Sequence, residues 1–152
     1  MNSGYKYALA TSLVYVWLGF VGGISFMEAW LKFKAPGITL PLGLGIGRLV
    51  FNALNHVEWV LFTIILINLL VNKGKAILAI SSSLGVAVII LLVQTLWLLP
   101  ALDVRAEIIV KGYDMPPSSL HLYYVALEVV KVIALLWFGI KLWHHKATTD
   151  ST

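Results

Sequence analysis

Apolar residues fill this chain in long runs separated by short polar breaks. A helix that crosses a bilayer needs about 20 mostly apolar residues, and the segments 7–33, 42–71, 76–102 and 119–142 meet that length. Lys34-Ala35-Pro36-Gly37 breaks the first, and Pro41 marks the end of that connection. Asn72-Lys73-Gly74-Lys75 is a short polar turn, and Asp103 to Pro117 reads as a loop. Pro116-Pro117-Ser118-Ser119 then feeds a helix N-cap, and residues 143–152 form a polar tail. The pattern predicts an all-α fold, a four-transmembrane-helix bundle running up-down-up-down, as one integral membrane domain over 1–152. No internal repeat or low-complexity tract interrupts it.

Composition supports lipid as the solvent. Of the 152 residues 60% are hydrophobic and 12% charged, with mean hydropathy +0.91, against roughly 25% charged in soluble domains. The absence of cysteine excludes disulfides, thiolate metal ligands and a cysteine nucleophile. The net charge of +4 is spread over helix ends and loops without a basic cluster, which argues against nucleic acid as a partner. The apolar run after Lys6 exceeds the h-region of a signal peptide, about 7–15 residues, and has no small-x-small cleavage site. The first span is therefore expected to direct insertion itself. Lys6, Lys73, Lys75, Lys141 and Lys146 face Lys32, Lys34, Arg105 and Lys111 across the membrane. The positive-inside rule then puts both termini on the cytoplasmic side, with a bacterial inner membrane as the expected location. Trp30, Trp97, Tyr113 and Trp143 fall near the predicted interfaces, as an aromatic belt would.

Charges inside the spans change the picture most. Glu28, Arg48, Glu58, Glu128 and Lys131 all lie within apolar runs. A charge in hydrocarbon costs several kcal/mol on most estimates, so such groups face a bundle interior or a water-filled cavity. Helical periodicity sorts them into stripes. His121, Tyr124, Glu128 and Lys131 share one face of the fourth span. Arg48, Asn52, Asn55 and Trp59 share a face of the second, flanked by His56 and Glu58. Ser25, Glu28 and Lys32 do so on the first, and Gln94 is the strongly polar residue deep in the third. At about 1.5 Å per residue, Glu28 and Arg48 fall at one shallow level, Asn52, Gln94 and Glu128 deeper, and His56, Glu58 and Lys131 near the midplane. The expected pairs are Glu28 with Arg48, and Lys131 with Glu58 or Glu128, in a polar cavity occupying half of the bundle. A purely structural alternative stands beside this: the pairs fix helix register and do nothing else. Gly19 with Gly23 and Gly43 with Gly47 form small-xxx-small patterns read as close packing within the molecule, and Ser81, Ser82 and Ser83 as helix–helix hydrogen bonders.

No sequence motif points to a particular chemistry. There is no P-loop, Ser-His-Asp arrangement or dinucleotide fingerprint. His56, Glu58, His121 and Glu128 are ligand types for a metal, but His56 and His121 differ in depth by about 20 Å, so neither a metal nor a haem is expected, and no cofactor is assigned. His144 and His145 lie in the tail. The first functional expectation is transport or binding of a small solute, ion or proton in the lipid bilayer. Four helices are few for alternating access, so a homodimer is expected. The alternatives are a membrane enzyme acting on a lipid-like substrate near Asp103, His121 and Glu128, or a structural subunit of a membrane complex.

Gly22-Gly23-Ile24-Ser25-Phe26, Gly47-Arg48-Leu49-Val50-Phe51, Leu99-Pro100 with Asp103 and Arg105, and His121 leading the fourth span form a wider pattern. It resembles that of the DUF4149, or transmembrane-protein-205-like, family of small four-helix membrane proteins. The resemblance implies the four-helix architecture and points to Arg48 and His121 as residues to test, without naming a substrate. The stretch from Glu28 to Pro41 and the Glu128/Lys131 pair lie outside the resemblance.

Overall fold

A computed structural model of the chain describes residues 7–72 and 77–149, with side chains at 7–72 and 82–144. It is all-helical among those residues, with four long helices. Helix α1 (Ala8–Lys34) passes through a π-helical segment, Gly22–Glu28, and ends in a 3-10 turn, Lys32–Lys34. A connection turning on Gly37, at φ +82°, leads to α2 (Leu40–Val71). Thr39 caps α2 through its hydroxyl, 3.4 Å from the Leu42 amide. Pro41 occupies the first turn, where no backbone donor is missed. Helix α3 runs Ile77–Val93, continues through a second π segment, Gln94–Leu98, and proceeds as Leu99–Val110. Pro100 sits just after that segment, where the widened ladder tolerates its missing N–H. Helix α4 is Leu120–Thr149.

Three stretches, Ala8–Lys34, Leu40–Val71 and Ser82–Val110, are long and apolar enough to cross a membrane. Their 27, 32 and 29 residues exceed the length that a hydrocarbon core of about 30 Å requires. Leu49, Leu96 and Val71 are each at least 75% exposed, which suits an integral membrane protein whose outer faces meet acyl chains.

Two boundaries differ from the sequence expectation. Helix α3 does not stop at residue 102: it carries Asp103 and Glu107 for two further turns. The charges that suggested a loop are paired instead, Glu107 with Lys111 one turn on and with Arg48 of α2. The segment from 143 to 149 read as a polar tail continues α4. Lys6, Lys73 and Lys75 lie outside the described residues, as do the side chains of Ser81, His145 and Lys146.

The helices close a ring: α1 packs on α2 and α4, α3 on α4, and the Leu99–Val110 part of α3 on α2. Tyr7 donates its hydroxyl to the Asn72 carbonyl at 2.9 Å, tying the start of α1 to the end of α2. At that end the core is apolar, with Val14 and Trp17 of α1, Leu61 and Ile65 of α2, Leu91 of α3 and Leu135 and Phe138 of α4. At the other end Phe33 lies directly against Gly43, where a Cβ would collide with its ring. Gly19 and Gly23, expected to pack inward, have nothing within 4 Å of an added Cβ. They lie opposite the Trp17–Ser25 face, which is the one α1 turns into the bundle.

Candidate functional site

Between the apolar end and the other end lies a sealed ionic centre built by all four helices. Lys131 of α4 reaches Glu58 Oε1 of α2 at 2.5 Å, Gln94 Oε1 of α3 at 2.7 Å and Glu128 Oε2 of its own helix at 3.2 Å. Its ammonium has three N–H donors: it donates to Gln94 Oε1 and, at 3.3 Å, to Glu128 Oε1, and it is ion-paired with Glu58. From α1, Trp17 Nε1 donates to Glu58 Oε1 at 2.8 Å, and the Ser25 hydroxyl donates to Glu128 Oε1 at 3.3 Å. Glu58, Gln94, Glu128 and Lys131 have no accessible surface. Glu58 Oε2, Gln94 Nε2 and Glu128 Oε2 are left without a hydrogen-bond partner. Both π segments abut this centre: Ser25 comes from the first and Gln94 opens the second. Such bulges shift side-chain phase and recur at functional sites.

Toward the other end a cavity of about 690 Å³ opens between α2, the second half of α3 and the ends of α1 and α4. Its walls are mostly apolar, with Phe33, Leu44, Phe51 and Leu99 among them. Lys32, Arg48, Asn52, Asn55, His56, Thr95, Asp103 and His121 supply polar groups. Arg48 grips Asp103 in a fork, Nε to Oδ1 at 2.6 Å and Nη2 to Oδ2 at 2.9 Å, and also meets Glu107 at 3.4 Å. The Thr95 hydroxyl accepts from Asn55 at 2.9 Å and from Trp59 at 3.0 Å and donates to the Leu91 carbonyl at 2.7 Å. His56 Nδ1 lies 2.8 Å from the Asn52 carbonyl oxygen.

Tyr124 joins the two regions. It is buried, lines the cavity, and stands edge-on to Phe51 with ring centroids 5.4 Å apart. It lies one helical turn before Glu128 on the same buried face of α4.

The sequence-selected residues therefore divide. Arg48, Asn52, Asn55, His56 and His121 line the cavity, Tyr124 bounds it, and Glu58, Gln94, Glu128 and Lys131 form the sealed centre. Glu28 does neither: it pairs with Lys32 at 3.2 Å, one helical turn away. The expected Glu28–Arg48 pair is thus not formed, because extended α3 offers Arg48 a bidentate carboxylate at the same level. A single cavity containing all five charges is not formed either: Glu58, Glu128 and Lys131 do not line it, and Tyr124 bounds it on their side. Sequence reasoning left out Trp17, Thr95 and the role of Asp103 as the partner of Arg48. The i, i+4 pair Glu107/Lys111 was the available sign that the helix continues. Among the described residues no group of three His, Asp or Glu converges as metal ligands. Comparison with known proteins gives no match to a family model, to a curated protein or to a solved structure.

Proposed function

We propose that this chain is a four-span, up-down-up-down membrane protein that binds a small amphipathic solute in the Arg48–His121 cavity and passes it across the bilayer. Helix α4 serves as the fourth span: its 30 residues suffice in length. It also turns Leu122, Ile133 and Trp137 outward. One observation carries the reading. A cavity of about 690 Å³, inside the usual range for small-molecule sites, has apolar walls and convergent polar groups and rests on a buried ionic centre. The apolar body of a solute would lie against Phe33, Leu44 and Leu99, with its hydrogen-bonding head toward Arg48, Asn52 and His121. The positive-inside count and the resemblance to the DUF4149-like family support the architecture, with both termini cytoplasmic and the cavity opening on the opposite side of an inner membrane.

The natural absence of cysteine makes the test direct. In Asn52→Cys, a membrane-impermeant maleimide added to intact cells should react about as fast as with Ser118→Cys in the connection. Reaction only after detergent extraction would mean that acyl chains fill the space, and would sink the solute-binding reading. A second reading, pure helix docking, is favoured by the contact of the ionic centre with every helix. It predicts that Arg48→Gln and His121→Gln proteins keep full activity in any flux assay.

A further inference from the structure

We propose that the Glu58–Lys131–Glu128 centre is a binding site for one exchangeable proton, loaded from the cavity by way of Tyr124. The argument starts from charge. Two carboxylates and one ammonium sum to −1 when all are ionised, and none of the three is accessible. The groups that face them are neutral: Trp17 and Ser25 from α1, Gln94 from α3, and Tyr124 from α4. No second cation among the described residues reaches either carboxylate. All of these residues sit in mid-helix, away from the partial charges of helix ends, which act only within the terminal turn. A net charge held in a dry, low-dielectric bundle is strongly disfavoured, and one added proton removes it.

The position of that proton follows from the hydrogen bonds. The three ammonium donors are already taken by Glu58, Gln94 and Glu128, so the extra proton belongs on a carboxyl oxygen. Glu58 Oε2 has no partner, and Glu128 Oε2 has only its ion-pair contact with Lys131. Tyr124 supplies the route, because it borders both the cavity and Glu128. A hydronium ion in the cavity gives its proton to the Tyr124 oxygen as the phenolic proton passes to the Glu128 carboxylate. One O–H bond breaks in hydronium, one forms on Glu128, and Tyr124 ends unchanged. Lys131 holds the two carboxyls within reach of one proton.

This inference needs protons to reach the cavity, as the solute-binding reading does, but it needs no solute to move. Infrared spectroscopy of the full chain in phosphatidylcholine vesicles reads it through the C=O stretch of protonated carboxyls. At neutral pH the wild type should show one such group per chain. Glu58→Gln and Glu128→Gln each leave one acid facing Lys131, a neutral pair, so each should lose that signal while helical circular dichroism is unchanged. In Tyr124→Phe the signal should remain, but its shift on transfer to D2O should slow at least about tenfold, a rise of about 1.4 kcal/mol in the barrier. A wild type without the signal, or its survival in either glutamine variant, overturns the one-proton site. Exchange at the wild-type rate in Tyr124→Phe overturns the route. Asn52→Cys labelling reads hydration separately, so a dry cavity and an absent proton are distinguishable.

Discussion

Lys131→Met is the substitution that most directly probes the centre of this bundle. Methionine keeps an unbranched side chain of similar length but removes the ammonium that meets Glu58, Gln94 and Glu128. Breaking a buried pair by deleting one partner typically costs about 3–5 kcal/mol, because the remaining charge is left uncompensated. Here two acids remain, and the folded chain escapes the penalty by keeping both protonated. Relative to its own unfolded state, the native variant then holds one more proton than the native wild type does. Stability falls with rising pH wherever the native state binds more protons than the unfolded state. The variant should therefore lose about 1.4 kcal/mol more per pH unit than the wild type as pH rises through neutrality. Reversible unfolding by SDS in mixed micelles measures both quantities. Circular dichroism follows the unfolding, and in a variant whose other five tryptophans are replaced by phenylalanine Trp17, whose Nε1 bonds Glu58, reports locally by fluorescence. The triple variant Glu58→Gln/Glu128→Gln/Lys131→Met, which carries no buried charge, should recover most of the loss, as replaced buried ion pairs often do. A Lys131→Met protein within about 1 kcal/mol of wild type, the worth of an exposed pair, and with an unchanged pH slope would refute the electrostatic account.

Three other substitutions test the remaining joints. Gly43→Leu should destabilise the detergent-solubilised protein markedly, because its side chain meets the Phe33 ring. Gly19→Ala, where added atoms meet nothing within 4 Å, should raise stability by about 0.5–1 kcal/mol as a helix-interior glycine is removed; thermal denaturation compares the two. Thr95→Val leaves the Asn55 and Trp59 donors without their shared acceptor and should cost about 1–3 kcal/mol, read by the same SDS titration. Arg48→Ala should cost little in the same titration, because Arg48 and Asp103 are 27% and 46% exposed; the swap Arg48→Asp/Asp103→Arg should return most of it, whereas a loss as large as that of Lys131→Met would mean that the fork holds α2 to α3.

Much of this arrangement is readable from spacing. The stripe His121, Tyr124, Glu128, Lys131 runs from the cavity through its boundary into the sealed centre, in sequence order. Depth along ideal helices placed Lys131 level with Glu58, and the two are in contact. What spacing could not give was the partner of Arg48, because a cluster of charges after Leu102 looks like the end of a span. The contribution of α1 was hidden for a different reason. On a regular α-helix Trp17 and Ser25 are about 80° apart. The π segment beginning at Gly22 winds less per residue, and it brings Ser25 round to the face that carries Trp17. Nothing in the residues Gly22–Glu28 announces that change of winding, so a constant 3.6-residue period misses the convergence on Glu58 and Glu128.

The position of the ionic centre is itself an argument about function. Below it the core is formed by apolar side chains such as Val14, Leu61, Leu91 and Phe138, and the cavity does not extend to that side. Above it, the cavity comes as near as Tyr124. A shift of the acids by one helical turn, about 5.4 Å, toward the cavity would hydrate them, and a net charge would then be tolerated with no proton bound. The same shift toward the apolar end would separate Glu128 from Tyr124 and strand whatever proton it held. The junction of the two halves is thus where an acid pair can be dry enough to require a proton and near enough to water to exchange it. Docking four helices requires neither condition.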